Sequence, residues 1–262
     1  MNFLSHHGVY SGTVIRDRFS MKKWKFSWVL LLTSLAHGSI AQESDLSRLG
    51  TWNILNVKMD LGERWALFVE PQLRSLRWYD HFHYYEIKGG VTYDLGKNFS
   101  LTTGVGRYDT YQEGGDFVTP KVNNEIRTWL QLQMYQNLNR IRFEHRYRAE
   151  QRWTNDDFRN RFRYRFNTIM PLNRAKIEPG AFYVSASNEL FFTNRAPYFE
   201  RNRLFLGGGY EFTPLFTLQM GWLNQFDYKI NDETGRNFFQ ISWLFELQWQ
   251  EVKRVNRPDS MN

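Results

Sequence analysis

Nine arginines recur at short intervals along two neighbouring segments, and guanidinium groups hold carboxylate and phosphate in a two-point geometry. They are Arg140, Arg142, Arg146, Arg148, Arg152, Arg159, Arg161, Arg163 and Arg165. Glu144 and Glu150 are the carboxylates at the same alternating positions, so the charge is not balanced within the two segments. Side chains of this kind on one face of a sheet would form a surface that favours anions.

Four glutamates on other predicted strands offer these arginines a different set of partners. They are Glu70, Glu86, Glu125 and Glu189. If they pair with the arginines across a narrow barrel, the side chains fill the interior and leave no path for a solute, as in many small barrels. The sequence leaves both interpretations open.

The other candidate sites have fewer of the required groups. His81 and His83 lie near Ser75 and Asp80, but a hydrolase needs its nucleophile and base within hydrogen-bond reach, which spacing does not establish. The two histidines also lack a third metal ligand. The sequence has no cysteine, phosphate-binding loop, dinucleotide fingerprint or Gly-x-Ser-x-Gly motif. We therefore assign no catalytic residue, no metal and no cofactor.

The arginines alternate with apolar residues at a period of two, which is the period of a β-strand. Every second residue from Arg140 to Arg152 is charged, whereas the opposite face includes Ile141, Phe143 and Tyr147. A helix of this sequence would have charge on every side and no apolar stripe. The same alternation predicts eleven strands, at 51–59, 65–74, 83–93, 99–111, 124–136, 140–152, 158–170, 177–191, 203–212, 215–228 and 237–249.

The predicted strands are long, and their connections alternate in length. Most strands have about nine to fifteen residues, which is long enough to cross a bilayer and longer than is usual in soluble proteins. Short connections such as Pro171–Asn173 alternate with longer ones such as Ser75–Phe82. This asymmetry is typical of outer-membrane barrels, with short periplasmic turns and longer extracellular loops. We therefore predict an all-β, transmembrane, antiparallel up-and-down β-barrel with a charged lumen.

Eleven strands conflict with the even number that bacterial barrels usually have. We therefore expect one further strand, or a segment threading the lumen, within Gln42–Gly50. The expected total is twelve strands, with ten as the alternative.

The N-terminal region has the pattern of an export signal. A basic segment, Met21–Lys25, precedes an apolar one, Phe26–Leu35, and Ser39-Ile40-Ala41 resembles a cleavage site. We expect residues 1–20 to be a mis-annotated extension, 21–41 a signal peptide, 42–249 the barrel and 250–262 a polar C-terminal tail. The first 41 residues account for +4 of the formal charge of +7, so nucleic acid is not an expected partner of the mature chain.

Three parts of the sequence resemble the outer-membrane β-barrel family catalogued as domain of unknown function 2490. They are Gly50-Thr51-Trp52-Asn53 before a strand, the segment Trp65–Arg74 ending in Glu-Pro-Gln-Leu-Arg, and the arginine-rich strands at 140–165. The resemblance spans about residues 47–249. It implies a barrel fold in the outer membrane of a Gram-negative bacterium, and it implies no activity or catalytic residue. The chain differs from many outer-membrane barrels because it continues past Trp249.

We expect an outer-membrane protein whose arginine-rich lumen is a narrow pore for anions or other solutes. One alternative is a non-catalytic structural or assembly partner of envelope complexes, and a second is a surface lipid-modifying hydrolase. The expected partners are outer-membrane lipid, a small anionic solute and other envelope proteins, and the expected state is a monomer.

Overall fold

Eleven β-strands make up most of residues 48–155, 157–230 and 233–249, which a computed structural model describes and which belong to the unit Ser44–Asn262. The strands are β1 (Gly50–Asp60), β2 (Trp65–Arg77), β3 (Asp80–Gly96), β4 (Phe99–Gln112), β5 (Val118–Leu138), β6 (Ile141–Trp153), β7 (Phe158–Pro171), β8 (Phe182–Thr193), β9 (Phe199–Thr213), β10 (Phe216–Asp227) and β11 (Thr234–Gln248). Each predicted strand overlaps one of these, and the prediction of an all-β chain is confirmed. The expected extension, signal peptide and C-terminal tail lie outside the described residues.

The strands form a closed barrel in which each strand is hydrogen-bonded to its neighbours in the chain. These neighbours are antiparallel, as expected, but the barrel closes through a parallel pair, β1 and β11, from Gly50 opposite Phe238 to Asp60 opposite Gln248. The described residues contain eleven strands, and most of Gln42–Gly50, where a further strand or lumen segment is expected, lies outside them. When an odd number of strands alternate in direction, the first and the last strand run the same way. Hydrogen bonds between them are therefore parallel, and they pair the two edges of the sheet.

The expected alternation of short and long connections holds only in part. We call the two ends of the barrel the Gly50 end and the Asp60 end, after the ends of β1. The predicted long loop Ser75–Phe82, at the Gly50 end, is a two-residue turn between β2 and β3. The predicted short turn Pro171–Asn173, at the Asp60 end, instead begins a ten-residue connection before β8. Gly180 in this connection has a φ of +86°, which favours glycine and interrupts the strand predicted from residue 177.

The polarity of the barrel is reversed relative to that of a soluble protein. Large apolar side chains such as Leu130, Tyr147 and Phe162 are exposed on the outer face. Among the described residues, buried polar and charged side chains outnumber buried apolar ones. The apolar cluster of Trp52, Phe205, Leu223 and Phe238 lies inside the barrel. No helix in the described residues is long and apolar enough to cross a membrane.

Several aromatic rings lie flat against the inner wall because the wall has glycine beneath them. A Cβ added at Gly104 would overlap the ring of Trp129 and would lie 2.7 Å from the carbonyl oxygen of Gly89. A Cβ at Gly207 or Gly221 would lie within 2.7 Å of the Phe205 ring. Glycine at these positions lets large rings pack closely on the strands, which leaves space along the barrel axis.

We predict that Gly104→Val destabilises the folded barrel by about 1–3 kcal/mol, because the added side chain must displace the Trp129 ring. The free energy of unfolding in urea, followed by tryptophan fluorescence in detergent micelles, measures this change. Gly235→Val is the matched control, since nothing lies within 4 Å of a Cβ at that position. Equal stability of the two variants would contradict the proposed packing.

Candidate functional site

A cavity of about 930 Å³ inside the barrel brings together residues from every strand. Eight of the nine arginines singled out in the sequence line it: Arg142, Arg146, Arg148, Arg152, Arg159, Arg161, Arg163 and Arg165. The period-two pattern of β6 and β7 places them there, because alternate side chains of a strand point to the same face.

Arg140 is the exception. It precedes β6, at the Asp60 end, and its Nη2 donates to the carbonyl oxygens of Pro171, Leu172 and Arg174, at 2.9, 2.9 and 2.8 Å. The expectation that Arg140 lines the interior with the others was therefore wrong. The alternation of side chains between the two faces applies only within a strand. In the turn before β6, the guanidinium of Arg140 instead bonds the end of β7 and the connection that follows it.

The register of β6 and β7 sets like charges opposite each other at three levels. The opposed pairs are Arg146 with Arg165, Arg148 with Arg163, and Arg152 with Arg159. Like charges directly opposite each other on adjacent strands are destabilising. Each pair therefore needs nearby carboxylates, and these come from β5, β6, β8 and β9.

Glu125 and Glu200 neutralise the pair nearest the Gly50 end. The fully buried carboxylate of Glu125 accepts two hydrogen bonds from Arg127, both 2.8 Å, and two from Arg152. Glu200 accepts hydrogen bonds from Arg152 at 3.2 Å and from Arg161, and Arg159 lies 3.9 Å from it. Ionised hydrogen bonds with fixed two-point geometry are the strongest of their kind, so these residues form a rigid layer.

Glu150 and Glu189 occupy the next layer. Arg163 lies between them, 2.5 Å from Glu150 Oε1 and 2.8 Å from Glu189 Oε1. Glu150 is also within 3.6 Å of Arg148 and 3.7 Å of Arg161. Arg148 completes its contacts with two hydrogen bonds to Gln131 Oε1, at 2.9 and 2.6 Å. We call the residues of both layers the arginine–glutamate network: Glu125, Glu150, Glu189, Glu200, Arg127, Arg146, Arg148, Arg152, Arg159, Arg161 and Arg163.

Arg165 lies outside this network. Among the described residues it makes no hydrogen bond and no ion pair within 4.0 Å, and its Nε is buried without a partner. Arg146, directly opposite, reaches Glu189 Oε1 at 2.5 Å through Nη2, but its own Nε is also buried and unpartnered. The third opposed pair is therefore only partly neutralised.

Two arginines outside the network make cation–π contacts with aromatic rings inside the barrel. Arg74 lies 3.4 Å from the Trp52 ring and 4.0 Å from the Tyr84 ring. Arg203 lies 4.7 Å from Trp52 and 4.8 Å from Phe191. Arginine stacks on aromatic faces because the ring quadrupole attracts the cation. These stacks help to position both guanidinium groups, and Arg74 also forms an ion pair with Glu86.

The four glutamates expected as partners divide into two groups. Glu125 and Glu189 pair with arginines of β6 and β7, as one interpretation of the sequence required. Glu70 and Glu86 instead pair with Lys88, at 2.5 Å each, and Glu86 also lies 3.1 Å from Arg74.

Sequence reasoning missed several residues of the interior. Glu200 fell in a predicted loop, but a register shift between β8 and β9 leaves it as the extra residue between Phe199 and Arg201, and its side chain joins the network. A similar shift between β2 and β3 leaves His83 extra, and His83 lines the cavity. β-bulges redirect single side chains in this way, and alternation alone does not reveal them.

The residues considered for a hydrolase do not form a catalytic arrangement. Ser75 Oγ donates to the carbonyl oxygen of Arg77 at 2.6 Å and bonds Thr51 Oγ1 at 2.6 Å, while His81 Nδ1 bonds Asp80 Oδ2 at 2.7 Å. No hydrogen bond joins Ser75 to either histidine in the described part of the chain. Residues 48–155, 157–230 and 233–249 also contain no group of three or more metal-ligating side chains.

A family model described as "Protein of unknown function (DUF2490)" matches residues 49–236, which include β1 to β10 and the start of β11. This match confirms the predicted membership of that family. No curated protein and no solved structure matches the chain.

We predict that Glu125→Gln destabilises the barrel by about 3–5 kcal/mol, because it leaves the partly buried Arg127 and the buried Arg152 without their shared carboxylate. The free energy of unfolding in urea, measured in detergent micelles, tests this value. Glu113→Gln removes an exposed glutamate that pairs with Arg236 at 3.1 Å, and should change stability by no more than about 1 kcal/mol. Similar losses in both variants would show that the buried ion pairs do not stabilise the barrel more than surface ones.

Proposed function

The chain belongs to the family of unknown function DUF2490, and we propose that it is an integral β-barrel of a Gram-negative outer membrane whose cationic interior admits small anions. The observation that carries this proposal is the reversed polarity of the barrel. Its outer face exposes large apolar side chains, and its interior contains ionic groups. In water such an apolar outer face would cause aggregation. In a bilayer the outer face contacts lipid, and the ionic interior is kept away from it.

The closed hydrogen-bond ladder supports the same environment. Hydrocarbon offers no partner to a backbone amide or carbonyl group, so a sheet in a bilayer must have no free edge. Here the parallel pair of β1 and β11 closes the sheet, and every strand has two neighbours.

Aromatic rings gather near both ends of the barrel, as expected at the two interfaces of a membrane. At the Asp60 end, consecutive contacts join Phe182, Tyr210, Phe212, Phe216 and Phe245. At the Gly50 end, pairs form between Trp78 and Phe239, Tyr111 and Phe117, Trp153 and Phe158, and Phe192 and Phe199. On β8, Phe182 lies at the Asp60 end and Phe192 at the Gly50 end. Ten residues of a tilted strand span about 25 Å, which is the height of the apolar band of an outer-membrane barrel.

The charge of the interior supports a preference for anions. Twelve arginines and Lys88 line the cavity in the described part of the chain. Seven glutamates line it too, and the buried Glu125 and Glu150 and the Arg201 partner Asp227 are further carboxylates on its wall. Cations therefore exceed carboxylates by three. Rings of charged side chains set the selectivity of membrane pores, and guanidinium groups favour oxyanions.

The arginine–glutamate network favours a second candidate function, a closed barrel with a structural or assembly role. Its ion pairs cross the interior from β5 to β9 and hold many of the arginines in place. A barrel filled in this way would contribute its surface rather than a passage. Electrical conductance separates the two functions.

We predict that Leu130→Arg destabilises the barrel in lipid by about 2–4 kcal/mol, because this exposed leucine would face hydrocarbon near the middle of the membrane. Unfolding in urea from phospholipid vesicles measures the change. Leu61→Arg is the control: Leu61 is also exposed but lies in the turn after β1, so its effect should be within about 1 kcal/mol. Equal effects at the two positions would argue against a membrane-spanning barrel.

We predict that the purified protein conducts chloride in preference to potassium in a planar bilayer, because the cavity has excess positive charge. The reversal potential in a KCl gradient gives the selectivity. Charge reversal at the loosely held Arg159, by Arg159→Glu, should shift the reversal potential towards potassium. A preference for potassium in the wild type would contradict an anion path, and the absence of conductance would leave the closed structural barrel.

A further inference from the structure

The three opposed arginine pairs of β6 and β7 differ in how far their charge is neutralised. The pair Arg152 and Arg159 meets Glu125 and Glu200, and the pair Arg148 and Arg163 meets Glu150 and Glu189. The pair Arg146 and Arg165 has one contact with a carboxylate, from Arg146 to Glu189. Two of the three pairs therefore contact two carboxylates each, whereas the third contacts one.

Glu189 does not complete the third level, because its charge is shared. Its Oε1 accepts from Arg163 Nη2 at 2.8 Å and from Arg163 Nε at 3.0 Å, in addition to Arg146. Arg165 lies opposite Glu189 in the β7–β8 register, yet makes no ion pair with it within 4.0 Å. A single carboxylate here faces three guanidinium groups.

The unused donors of this pair are buried. The Nε atoms of Arg146 and Arg165 have no hydrogen-bond partner among the described residues, although each is shielded from solvent. An unsatisfied buried donor costs stability, more so when it is charged, and native proteins rarely leave one without a ligand, an ion or water. Two such donors on directly opposite residues point to a shared acceptor.

Neutral donors adjoin the pair on the neighbouring strand. Ser187 lies opposite Asn167, two positions from Arg165 along β7, and its side chain lines the cavity. Its hydroxyl makes no hydrogen bond within the described ranges. Ser185 and Asn167 are already engaged, since Ser185 Oγ donates to Asn167 Oδ1 at 3.0 Å and Asn167 Nδ2 donates to Glu144 Oε2 at 3.1 Å. Ser187 is therefore the available hydroxyl.

We propose that Arg146, Arg165 and Ser187 form a binding site for a small phosphate-type oxyanion inside the barrel. This inference rests on the proposed cationic interior and names its ligand class. Guanidinium groups donate in fixed directions, so they favour an anion with several oxygens over a spherical halide. Two adjacent cations favour a doubly charged anion over a single carboxylate. The cavity of about 930 Å³ also has room for a phosphate carried on a small solute.

Isothermal titration calorimetry of the full chain in detergent micelles, with inorganic phosphate as the probe, tests the site without a membrane. We expect saturable binding by the wild type and about tenfold weaker binding by Arg165→Gln, which removes charge-assisted hydrogen bonds. Arg165→Lys keeps the charge but loses the planar group, and its affinity should lie between these two. Arg236→Gln is the matched control, since it removes one arginine that does not line the cavity, and its affinity should equal that of the wild type.

Two results would overturn the proposal. One is the absence of saturable phosphate binding by the folded wild type, and the other is equal affinity in the wild type and Arg165→Gln. Circular dichroism establishes that each variant is folded, and Ser187→Ala, a neutral change that should weaken binding a few-fold, serves if Arg165→Gln does not fold. Phosphate binding without conductance would support this site while refuting the pore, so the two proposals fail separately.

Discussion

Guanidinium groups that are removed from bulk water require negative partners, and this requirement organises the interior of the barrel. Burying an unpaired charge is costly, so most arginines of β6 and β7 contact carboxylates, and several of these carboxylates come from other strands. Glu125 comes from β5, Glu189 from β8 and Glu200 from β9. The ion pairs therefore act across several strands and fix their relative positions.

The outer face follows from the same constraint. When alternate side chains of each strand point into an ionic interior, the remaining side chains point outward. Many of these outward side chains are large and apolar. Glycines such as Gly104 and Gly207 complete the arrangement, because they let Trp129 and Phe205 lie against the wall instead of filling the axis. The open space of the interior thus depends on these glycines, whereas the ion pairs fix the strands relative to one another.

Much of the fold could be predicted from the period of two, which fixed both the strands and the face of each arginine from Arg142 to Arg165. The failures occur where local geometry departs from regular alternation. Arg140 belongs to a turn, and Glu200 and His83 are extra residues at register shifts, so counting positions gives the wrong side for each. The strand number differs for another reason: alternation predicts the eleven strands of the described residues, and only a general rule of parity suggests a twelfth. A parallel ladder between β1 and β11 removes the need for it.

That parallel ladder also affects how easily the chain can be circularly permuted, that is, joined at its termini and opened at another position. In barrels with an even number of strands the first and last strands are antiparallel, and a short peptide can connect their termini. Here the beginning of β1 and the end of β11 lie at opposite ends of the cylinder. A circular permutant would need a linker of roughly the full strand length, about 3.3 Å for each of the eleven residues of β1, routed along the wall or through the interior. The topology therefore resists rearrangements of chain order that an even-stranded barrel tolerates.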